Sequence, residues 1–431
     1  MEEKKRIPTT ITTLGEAKLL SPLAYNRFIN DDMRTLFDTY LQPKGKEVVD
    51  PISFELSGAR EKIYFDPSKT ISAIATCGGL CPGLNSVIRS LVMTMHYTYG
   101  TKKVFGVRFG LQGFIASYGY DLMALTPENV VDIHKFGGTI LGSSRGEQPF
   151  DQIVDCLEQN GISVLFVIGG DGSVRAANRI FQEIQNRGLK KSVIAIPKTI
   201  DNDIHLVSRS FGFETAVEVA TQSIRSAHTE AEGAPNGIGL VRVMGRSSGY
   251  IAACAALASK DVNVVLVPEE DFELDGPNGL LEYLKKRIAR RGHAVIVTAE
   301  GAGQKFFKDT NEKDASGNPK FGNIGQYLSD RIHRYFAELK TPINLKYIDP
   351  SYIIRSVPAN ADDQILCGFL GQQAVHAAMA GKTGMLISNW NNLYVHIPFE
   401  AVVSRTKRID LDGRLWHSVI ETTGQPKLES R

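Results

Sequence analysis

Three apolar segments of this chain each run directly into a polar turn that carries glycines or carboxylates. They are ISAIATCGGLCPG (71–83), VLFVIGGDGS (164–173) and VIAIPKTIDND (193–203). Because the carboxyl ends of parallel strands meet at one edge of a sheet, these turns are expected to collect where ligands of open α/β sheets bind. Two phosphate-type loops beside an acidic turn favour phosphoryl transfer over simple nucleotide storage.

The pattern after residue 70 predicts the fold class. Apolar runs of four to six residues alternate with amphipathic stretches such as 84–96 and 173–184, as in βαβ units. Later strands are expected at 238–243, 262–267, 294–298 and 384–388. The sequence therefore predicts an α/β protein with mainly parallel sheets. Residues 1–68 are polar, include acidic residues such as Glu47 and have no strong sheet pattern, so they are interpreted as an appended N-terminal extension.

Composition narrows the class of protein. A chain of 431 residues is expected to form two lobes, at about 100–200 residues per domain. A net charge of +2 gives no general attraction to nucleic acid or to an anionic membrane, so neither is expected as a partner. The five cysteines fit a reduced compartment, and with no apolar run of 18 residues and no signal-peptide pattern a cytoplasmic location is expected. The polar segment 304–321 is interpreted as an exposed loop.

The glycine turns suit phosphate binding. In CGGLCPGLN (77–85) the glycines let backbone N–H groups face a phosphate at a helix N-terminus, although such a turn is also often only a packing requirement. Cys77 and Cys81 lack partners at zinc spacing and are interpreted as ordinary thiols. In GGDGS (169–173), Asp171 is predicted to associate with Mg²⁺, with a helix N-cap as the alternative, and Gly172 leaves room for a polyphosphate.

PKTIDND (197–203) is the most specific segment because it places a lysine, a threonine and two carboxylates close together after a buried strand. A carboxylate near a sugar hydroxyl accepts its proton as the hydroxyl attacks a phosphoryl group, and this role is assigned to Asp201. The alternative interpretation is a turn that is stabilised by side-chain hydrogen bonds to its own backbone.

Two arginines and a glutamate stand in similar turns. Arg246 in RVMGRSSGY is placed to reach the charge that develops on the transferring phosphoryl group or a sugar phosphate. Arg145 in GGTILGSSRG is placed to hold donor phosphates, and Glu300 in TAEGAG to accept a hydrogen bond from a sugar hydroxyl. The alternatives are solvated surface charges for the arginines and a helix cap for the glutamate.

Taken together, seven motifs give the chain a family resemblance. GGLCPGLN, GGTILGSSRG, GGDGS, PKTIDND, MGRSSGY, AEGAG and YIDPSYIIRSVPANADD occur in the order expected of a phosphofructokinase, over about 71–363. The sequence is most similar to the branch with plant and trypanosomatid ATP-dependent enzymes, which also has pyrophosphate-dependent relatives. The resemblance implies transfer of a phosphoryl group from ATP, with Mg²⁺ as cofactor, to the 1-hydroxyl of fructose 6-phosphate in glycolysis.

The resemblance also implies roles for individual residues and ranges. The catalytic residues would be Asp201, Thr199 and Arg246. The sugar phosphate would be bound by Thr199, Ile200, Asp201, Asp203, Met244, Gly245, Arg246, Glu300, Lys346, Tyr352 and Arg355. The nucleotide would be bound by Gly79, Arg145, Gly146, Gly170, Asp171, Gly172 and Ser173. The implied architecture is two Rossmann-like domains: nucleotide-binding (69–212 plus about 354–405) and sugar-phosphate-binding (213–353), with a tail at 406–431.

Three positions depart from typical bacterial members of the family. Tyr352 stands where those enzymes carry histidine, and Lys346 where they carry a phosphate-binding arginine, so the 6-phosphate site is expected to be remodelled. Gly237 stands where they place an arginine that reaches across a subunit boundary, so that contact is expected to be absent or replaced. The long N-terminal extension has no counterpart in the short bacterial forms, which puts their effector site in question here.

Two positions bear on the phosphoryl donor. Lys198 is typical of pyrophosphate users, whereas Gly172 is an aspartate in those enzymes, and that carboxylate would obstruct and repel the α-phosphate of ATP. An added lysine need not exclude a nucleotide, so ATP is the expected donor and a pyrophosphate-dependent enzyme is the alternative. The family likeness also implies a homo-oligomer, a tetramer, under allosteric control.

Two other classes of protein remain as alternatives. A non-catalytic sugar-phosphate sensor would keep the fold, but it would not need the proton acceptor Asp201. A diacylglycerol or NAD kinase-like enzyme shares a GGDG-type turn, yet it lacks PKTIDND and MGRSSGY.

Overall fold

A computed structural model describes residues 7–39, 51–308, 312 and 320–429. Glu47 and residues 309–311 and 313–319 of the predicted loop lie outside this part of the chain. The strands are β1 (Thr12–Thr13), β2 (Leu19–Leu20), β3 (Arg34–Leu36), β4 (Ser53–Leu56), β5 (Lys62–Ile63), β6 (Ile71–Thr76), β7 (Lys103–Val107), β8 (Met123–Leu125), β9 (Val164–Gly169), β10 (Ser192–Pro197), β11 (Gly237–Val243), β12 (Val264–Leu266), β13 (His293–Ala299), β14 (Asn344–Ile348), β15 (Lys382–Thr383), β16 (Met385–Trp390) and β17 (Leu393–Pro398).

The α-helices are α1 (Leu84–Met93), α2 (Pro127–Val130), α3 (Phe150–Gln159), α4 (Asp171–Asn186), α5 (Phe213–Glu232), α6 (Tyr250–Ser259), α7 (Leu280–Arg291), α8 (Ile324–Glu338), α9 (Ser351–Ser356), α10 (Ala361–Met379), α11 (Phe399–Val402) and α12 (Arg414–Thr423). Short helical turns are a π-helical turn at Thr94–Thr98 and 3-10 turns at Gly110–Phe114, Ala116–Tyr118, Ile133–Lys135 and Gln304–Phe306. Among the described residues, no helix is both long enough and apolar enough to cross a membrane.

The larger sheet contains the three strands that precede the polar turns. Its order is β3-β4-β17-β16-β10-β9-β6-β7-β8, with β16, β10, β9, β6 and β7 parallel and the outer strands antiparallel. All six residues of β9 are buried, which explains why this strand reads as a continuous apolar run rather than an alternating one. Side chains of β6, β9 and β10 share a core with those of α3 and α4.

The smaller sheet has the order β12-β13-β11-β14, and all of its pairs are parallel. Helix α5 packs along β11, and α7 and α8 close a core around β11, β12 and β13. Both sheets confirm the predicted α/β fold class with mainly parallel strands. The strands expected at 238–243, 262–267, 294–298 and 384–388 all form, with ends that differ by at most two residues.

The described chain divides into two compact units. The first contains residues up to Thr199, Ile204–Gly212 and Val357–Thr406, and the second contains Ile200–Asp203, Phe213–Ser356 and residues from Lys407 onward. The chain therefore passes several times from one unit to the other. Which ligand each unit binds stays a prediction at this point.

The prediction that the N-terminal segment is only appended is wrong for its described residues. Strands β3 and β4 extend the larger sheet beyond β17, and Phe54 on β4 is fully buried. Phe37 stacks on Trp390 with ring centroids 5.0 Å apart, and Phe54 meets the same indole edge to face. The segment was hard to recognise because its strands are short and its anchors are single aromatic residues.

Buried charges also tie this segment to the rest of the first unit. The guanidinium of Arg60 donates to Glu55 at 2.9 Å and to Asp31 at 2.8 Å, and the ammonium of Lys382 lies 3.0 Å from Glu55. His396 contacts the same carboxylate at 3.0 Å. Burial raises the pKa of Glu55, but the histidine and lysine outweigh it and the pKa falls to about 2.

The predicted C-terminal tail is likewise part of a folded unit. Helix α12 packs against α6, and Trp416 and Val419 are buried. The side-chain amide of Gln425 accepts a hydrogen bond from Val265 N at 2.7 Å and donates one to Val265 O at 3.2 Å. Leu428 joins the core of the second unit, so this segment completes that core instead of trailing from it.

We predict that Phe54→Ala lowers the free energy of unfolding by about 3–5 kcal/mol, because it opens a cavity beside Trp390. Tyr25→Ala, a truncation of an exposed aromatic in the same segment, is the control and should change it by about 0.5 kcal/mol or less. Urea unfolding followed by circular dichroism and tryptophan fluorescence measures both. Equal effects of the two truncations would contradict the integration of this segment into the core.

Candidate active site

Three loops meet at the carboxyl edge of the larger sheet, as the sequence predicted. Strands β6, β9 and β10 are neighbours, and they end almost level because Thr76 pairs with Ile168 and Gly169 with Pro197. The loops that follow them therefore start side by side. The loops that follow the carboxyl ends of parallel strands lie at the same edge of the sheet, so the polar groups of these three loops lie at this edge.

The predicted site residues fall into two sets. The first unit holds Gly79, Arg145, Gly146, Gly170, Asp171, Gly172, Ser173, Lys198 and Thr199. The second holds Ile200, Asp201, Asp203, Met244, Gly245, Arg246, Glu300, Lys346, Tyr352 and Arg355.

Hydrogen bonds with Ser143 and Ser144 hold the loop after β6. Ser143 Oγ donates to Gly78 O at 2.6 Å, and Gly78 N donates to Ser144 O at 3.0 Å. The ammonium of Lys198, which is buried, donates to Gly79 O at 2.6 Å. A positive charge from the loop after β10 thus lies against the glycine loop after β6, where phosphate binding is predicted.

The thiol at the start of this loop is inert. Burial raises the pKa of Cys77 to about 12, so it is a neutral thiol at physiological pH. This agrees with its interpretation as an ordinary buried cysteine.

Helix α4 starts inside the GGDGS turn. Gly170 is its N-cap, and Asp171 is its first residue, so the alternative interpretation of Asp171 as the N-cap is wrong. A Cβ at Gly169 would lie 2.2 Å from the Cβ of Ser173, which explains why only glycine fits there. A Cβ at Gly172 would meet no atom within 4 Å. The space beside Gly172 is therefore open, as the donor argument requires.

The carboxylate of Asp171 has a partner one turn along the helix. Arg175 donates to Asp171 Oδ2 from Nε at 3.1 Å and from Nη2 at 2.9 Å. Both bonds fall on one oxygen of a carboxylate at a helix N-terminus, so Oδ1 faces away from the guanidinium. A carboxylate oxygen is a ligand that Mg²⁺ prefers, and this residue therefore fits the predicted role.

Arg145 and Gly146 lie in an exposed turn after the two loop serines. Gly146 has a φ of 93°, and a Cβ there would meet no atom within 4 Å. Arg145 is exposed. Its guanidinium is therefore accessible to an anionic ligand.

In the second unit, hydrogen bonds hold both the side chain and the backbone carbonyl of Asp201. Arg246 N donates to Asp201 Oδ2 at 3.3 Å, and Ser248 Oγ donates to Asp201 O at 2.9 Å. The structure thus brings PKTIDND against MGRSSGY. A carboxylate that accepts a backbone N–H in this way is held in one orientation, as a proton acceptor must be.

Glycines allow the turns around Arg246 to pack closely. Gly245 has a φ of 129°, and a Cβ there would lie 2.6 Å from Ser248 O. A Cβ at Gly301 would lie 2.0 Å from Arg246 O, and Gly301 N donates to Gly245 O at 3.0 Å. The MGRSSGY and AEGAG turns are therefore in direct contact. The guanidinium of Arg246 lies 4.2 Å from the ring centroid of Phe321.

The sequence analysis did not single out Arg242 and Asp349, two charged residues whose charges act on Glu300. Arg242 donates to Glu300 at 3.1 Å and to Asp349 at 2.5 Å. Burial raises the pKa of Glu300, and the charge of Arg242 only partly opposes this. An arginine near the end of the buried strand β11 was the available signal, because such a charge needs partners.

The predicted phosphate-binding residues Tyr352 and Arg355 pair with each other on α9. The guanidinium of Arg355 lies 4.7 Å from the ring centroid of Tyr352, and Tyr352 is 76% exposed. Lys346 is exposed on β14, where it pairs in register with Gly239. The side chains of Tyr352, Arg355 and Lys346 are all accessible to solvent, and those of Tyr352 and Arg355 stack on each other.

A further missed residue, Lys407, lies beside Asp203. Its backbone N–H donates to Asp203 O at 2.8 Å, and its ammonium lies 5.1 Å from the ring centroid of Tyr250. Burial lowers the pKa of Lys407 to about 7, and the charge of Asp203 opposes the shift. The sequence analysis missed Lys407 because this residue lies outside the recognised motifs, in the segment interpreted as a tail.

Comparisons with known proteins identify the family of this chain. The family model described as Phosphofructokinase matches residues 72–378. The chain is 48% identical over 430 residues to the ATP-dependent 6-phosphofructokinase of Borreliella burgdorferi, covering 96% of each chain. It is 44% identical to that of Trypanosoma brucei brucei, covering 87% of this chain and 77% of the relative.

Solved structures share the fold. The pyrophosphate-dependent phosphofructokinase from Marinobacter aquaeolei matches with a TM-score of 0.68 and 20% identity, over 83% of this chain and 92% of that one. The Pichia pastoris phosphofructokinase in the T-state matches with a TM-score of 0.64 and 23% identity, over 78% of this chain and 36% of that one. At these identities the likeness concerns the fold alone. The family model and the close relatives show that the chain belongs to the phosphofructokinase family.

Proposed function

We propose that the protein transfers the γ-phosphoryl group of ATP to the 1-hydroxyl of fructose 6-phosphate, giving fructose 1,6-bisphosphate and ADP. The relatives that carry the name ATP-dependent 6-phosphofructokinase include one that is 48% identical over 96% of the chain. The observation that carries the proposal is the Asp201 carboxylate, which the backbone N–H of Arg246 holds in place. A sugar-phosphate sensor would have no use for a proton acceptor that is fixed in this way.

In this proposal the two predicted domains bind different ligands. The predicted nucleotide-binding range (69–212 plus about 354–405) supplies the glycine loops at the carboxyl edge of the larger sheet. The predicted sugar-phosphate-binding range (213–353) supplies Arg246, Glu300 and the exposed pair Tyr352 and Arg355. Backbone N–H groups at the start of α4 suit phosphate because they carry the positive end of the helix dipole.

The chain's own residues account for the proton and for the charge. Asp201 accepts the proton of the 1-hydroxyl, and Thr199, whose carbonyl accepts a bond from Ser210 Oγ at 2.6 Å, lies beside the reacting hydroxyl. Arg246 balances the charge that develops on the phosphoryl group. Mg²⁺, when bound through Asp171, would neutralise the charge on the donor phosphates.

The choice of ATP as donor depends on the space at Gly172. A side chain at this position would point into open space, so an aspartate there would place its charge where the α-phosphate of a nucleotide is proposed to lie. Lys198 does not oppose this choice, because its ammonium donates to Gly79 O and so contributes charge within the loop. The open space beside Gly172 therefore favours a nucleotide over pyrophosphate.

The same proposal extends to the setting of the enzyme. We infer a cytoplasmic homotetramer under allosteric control that works in glycolysis with fructose 6-phosphate and ATP as its small-molecule partners. No nucleic acid or membrane partner is part of the proposal. Sedimentation with and without AMP tests the assembly.

We predict that Asp201→Asn lowers kcat by about 10²–10⁴, because general-base catalysis is lost while the shape of the side chain is kept. The KM for fructose 6-phosphate should change far less. Steady-state rates with ATP and Mg²⁺ measure both parameters. Asp330→Asn, an exposed carboxylate on α8, is the matched control and should leave the rates unchanged. Near-normal turnover of Asp201→Asn would remove this residue from the mechanism.

We predict that Gly172→Asp lowers kcat/KM for ATP by about 100-fold or more, because apposed like charges cost several kcal/mol. Gly172→Asn separates the size of the side chain from its charge. Initial rates with ATP and with pyrophosphate, in one magnesium buffer, measure the change. Gly368→Asp in α10, where a Cβ also meets nothing within 4 Å, is the control. Unchanged ATP kinetics in Gly172→Asp, or a wild type that prefers pyrophosphate, would overturn the donor assignment.

A further inference from the structure

Three side chains with metal-binding atoms come together in the second unit, outside the site described above. His228 and Glu232 lie one turn apart on α5, and His293 is the first residue of β13. His228 Nε2 lies 3.5 Å and His293 Nε2 3.9 Å from Glu232 Oε1. The ligand atoms of all three residues lie within 4.8 Å of one another. Two imidazole nitrogens and a carboxylate oxygen thus face one point.

The fold explains why these residues meet. The i, i+4 spacing places His228 and Glu232 on one face of α5. The chain then turns into β11, and Gly237 pairs in register with His293. A Cβ at Gly237 would lie 2.0 Å from Ala231 O, so only glycine lets β11 start this close to the end of α5. The same glycine that replaces a family arginine therefore brings His293 next to the helix end.

The electrostatics of this helix end favour a bound cation. The last turn of α5 carries Glu230 and Glu232 and no basic residue. The carboxyl end of a helix is its negative end, so carboxylates there are unfavourable unless a positive charge lies nearby. The side chain of Glu232 is 55% exposed and those of His228 and His293 are 23% and 21% exposed, so an ion could reach them from solvent.

We propose that His228, Glu232 and His293 form a binding site for a borderline divalent transition metal of the Zn²⁺ class. Such metals take imidazole and carboxylate ligands at about 2.0–2.2 Å, which puts neighbouring ligand atoms about 3.3–3.6 Å apart in a tetrahedron. Two of the observed separations, 3.5 Å and 3.9 Å, are close to that spacing, and the third, between the two imidazole nitrogens, is no more than 4.8 Å. Mg²⁺ prefers oxygen ligands and is therefore a poor match for two imidazoles.

This site is distinct from the proposed active site. His293 begins β13, whereas Glu300 directly follows the other end of the same strand. A strand of seven residues spans about 20 Å, so the metal site lies at the opposite edge of the smaller sheet. A metal here would join the end of α5 to the start of β13, and its fourth coordination position would be left to water or another ligand.

The test measures metal binding by the full chain after dialysis against a chelator. Zn²⁺ affinity and stoichiometry come from competition with a chromophoric chelator, and Co²⁺ substitution reports the ligands through its visible absorption. The wild type should bind one Zn²⁺ tightly per chain at this site and give the intense bands of four-coordinate Co²⁺ without a thiolate charge-transfer band. Zn²⁺ should also raise its Tm, because a ligand of the folded state stabilises it.

The variants decide whether these three residues hold the metal. His228→Gln and His293→Gln should each weaken Zn²⁺ binding by more than the roughly 10–100-fold that loss of an outer-shell partner costs, and should abolish the Zn²⁺-dependent rise in Tm. His417→Gln, an exposed histidine on α12, is the matched control and should bind like the wild type. Circular dichroism without metal confirms that each variant folds.

Three outcomes would overturn the proposal. Zn²⁺ affinity that is unchanged in both His228→Gln and His293→Gln would place the metal elsewhere. Loss of the bound Zn²⁺ in Cys156→Ser or Cys254→Ser, the two partly exposed cysteines, would assign it to thiols. Binding of Mg²⁺ as tight as that of Zn²⁺ would exclude a site built on imidazole nitrogens. None of these measurements depends on phosphoryl-transfer activity.

Discussion

Close packing of neighbouring atoms against glycines is the constraint on which the polar turns of this structure depend. At Gly169 and Gly301, a Cβ would lie 2.2 Å or less from its neighbour. The first glycine lets α4 start directly at the end of β9, and the second lets the AEGAG turn rest on the turn that carries Arg246. Side chains at these points would push the turns apart, and the hydrogen-bond donors at α4 and the carboxylate of Asp201 would lose their fixed positions.

Polar contacts with neighbouring groups hold the charged side chains around these turns in position. Arg242 between Glu300 and Asp349, and Lys198 against Gly79 O, are held by short polar contacts. Breaking a buried pair of this kind costs more than its formation gains, because the remaining charge is left without compensation. The electrostatics of the site therefore depend on residues that touch no proposed ligand, and a substitution at Arg242 would act on Glu300 through its orientation and its pKa.

Features of the fold and of the site could be predicted from the sequence where their signal is local in the chain, and not where it depends on distant residues. Buried parallel strands such as β9 give continuous apolar runs, and a glycine turn after such a strand is local, so the fold class and the loops at the sheet edge were predictable. The contact of Asp201 with Arg246 followed from the resemblance and not from periodicity. Strand β4 and helix α12 were not recognised, since their roles depend on partners far away in sequence, Trp390 for Phe54 and the core of the second unit for Trp416.

The strand order of the larger sheet also governs when this protein can fold. Strand β16 pairs directly with β10, and β17 joins β16 to β4. Strands β3 and β4 thus reach the parallel strands only through β17, which lies far downstream of them in the sequence. On the ribosome, β4 therefore lacks its neighbour β17 until the chain has been synthesised through Pro398, and this edge of the larger sheet can close only after that point.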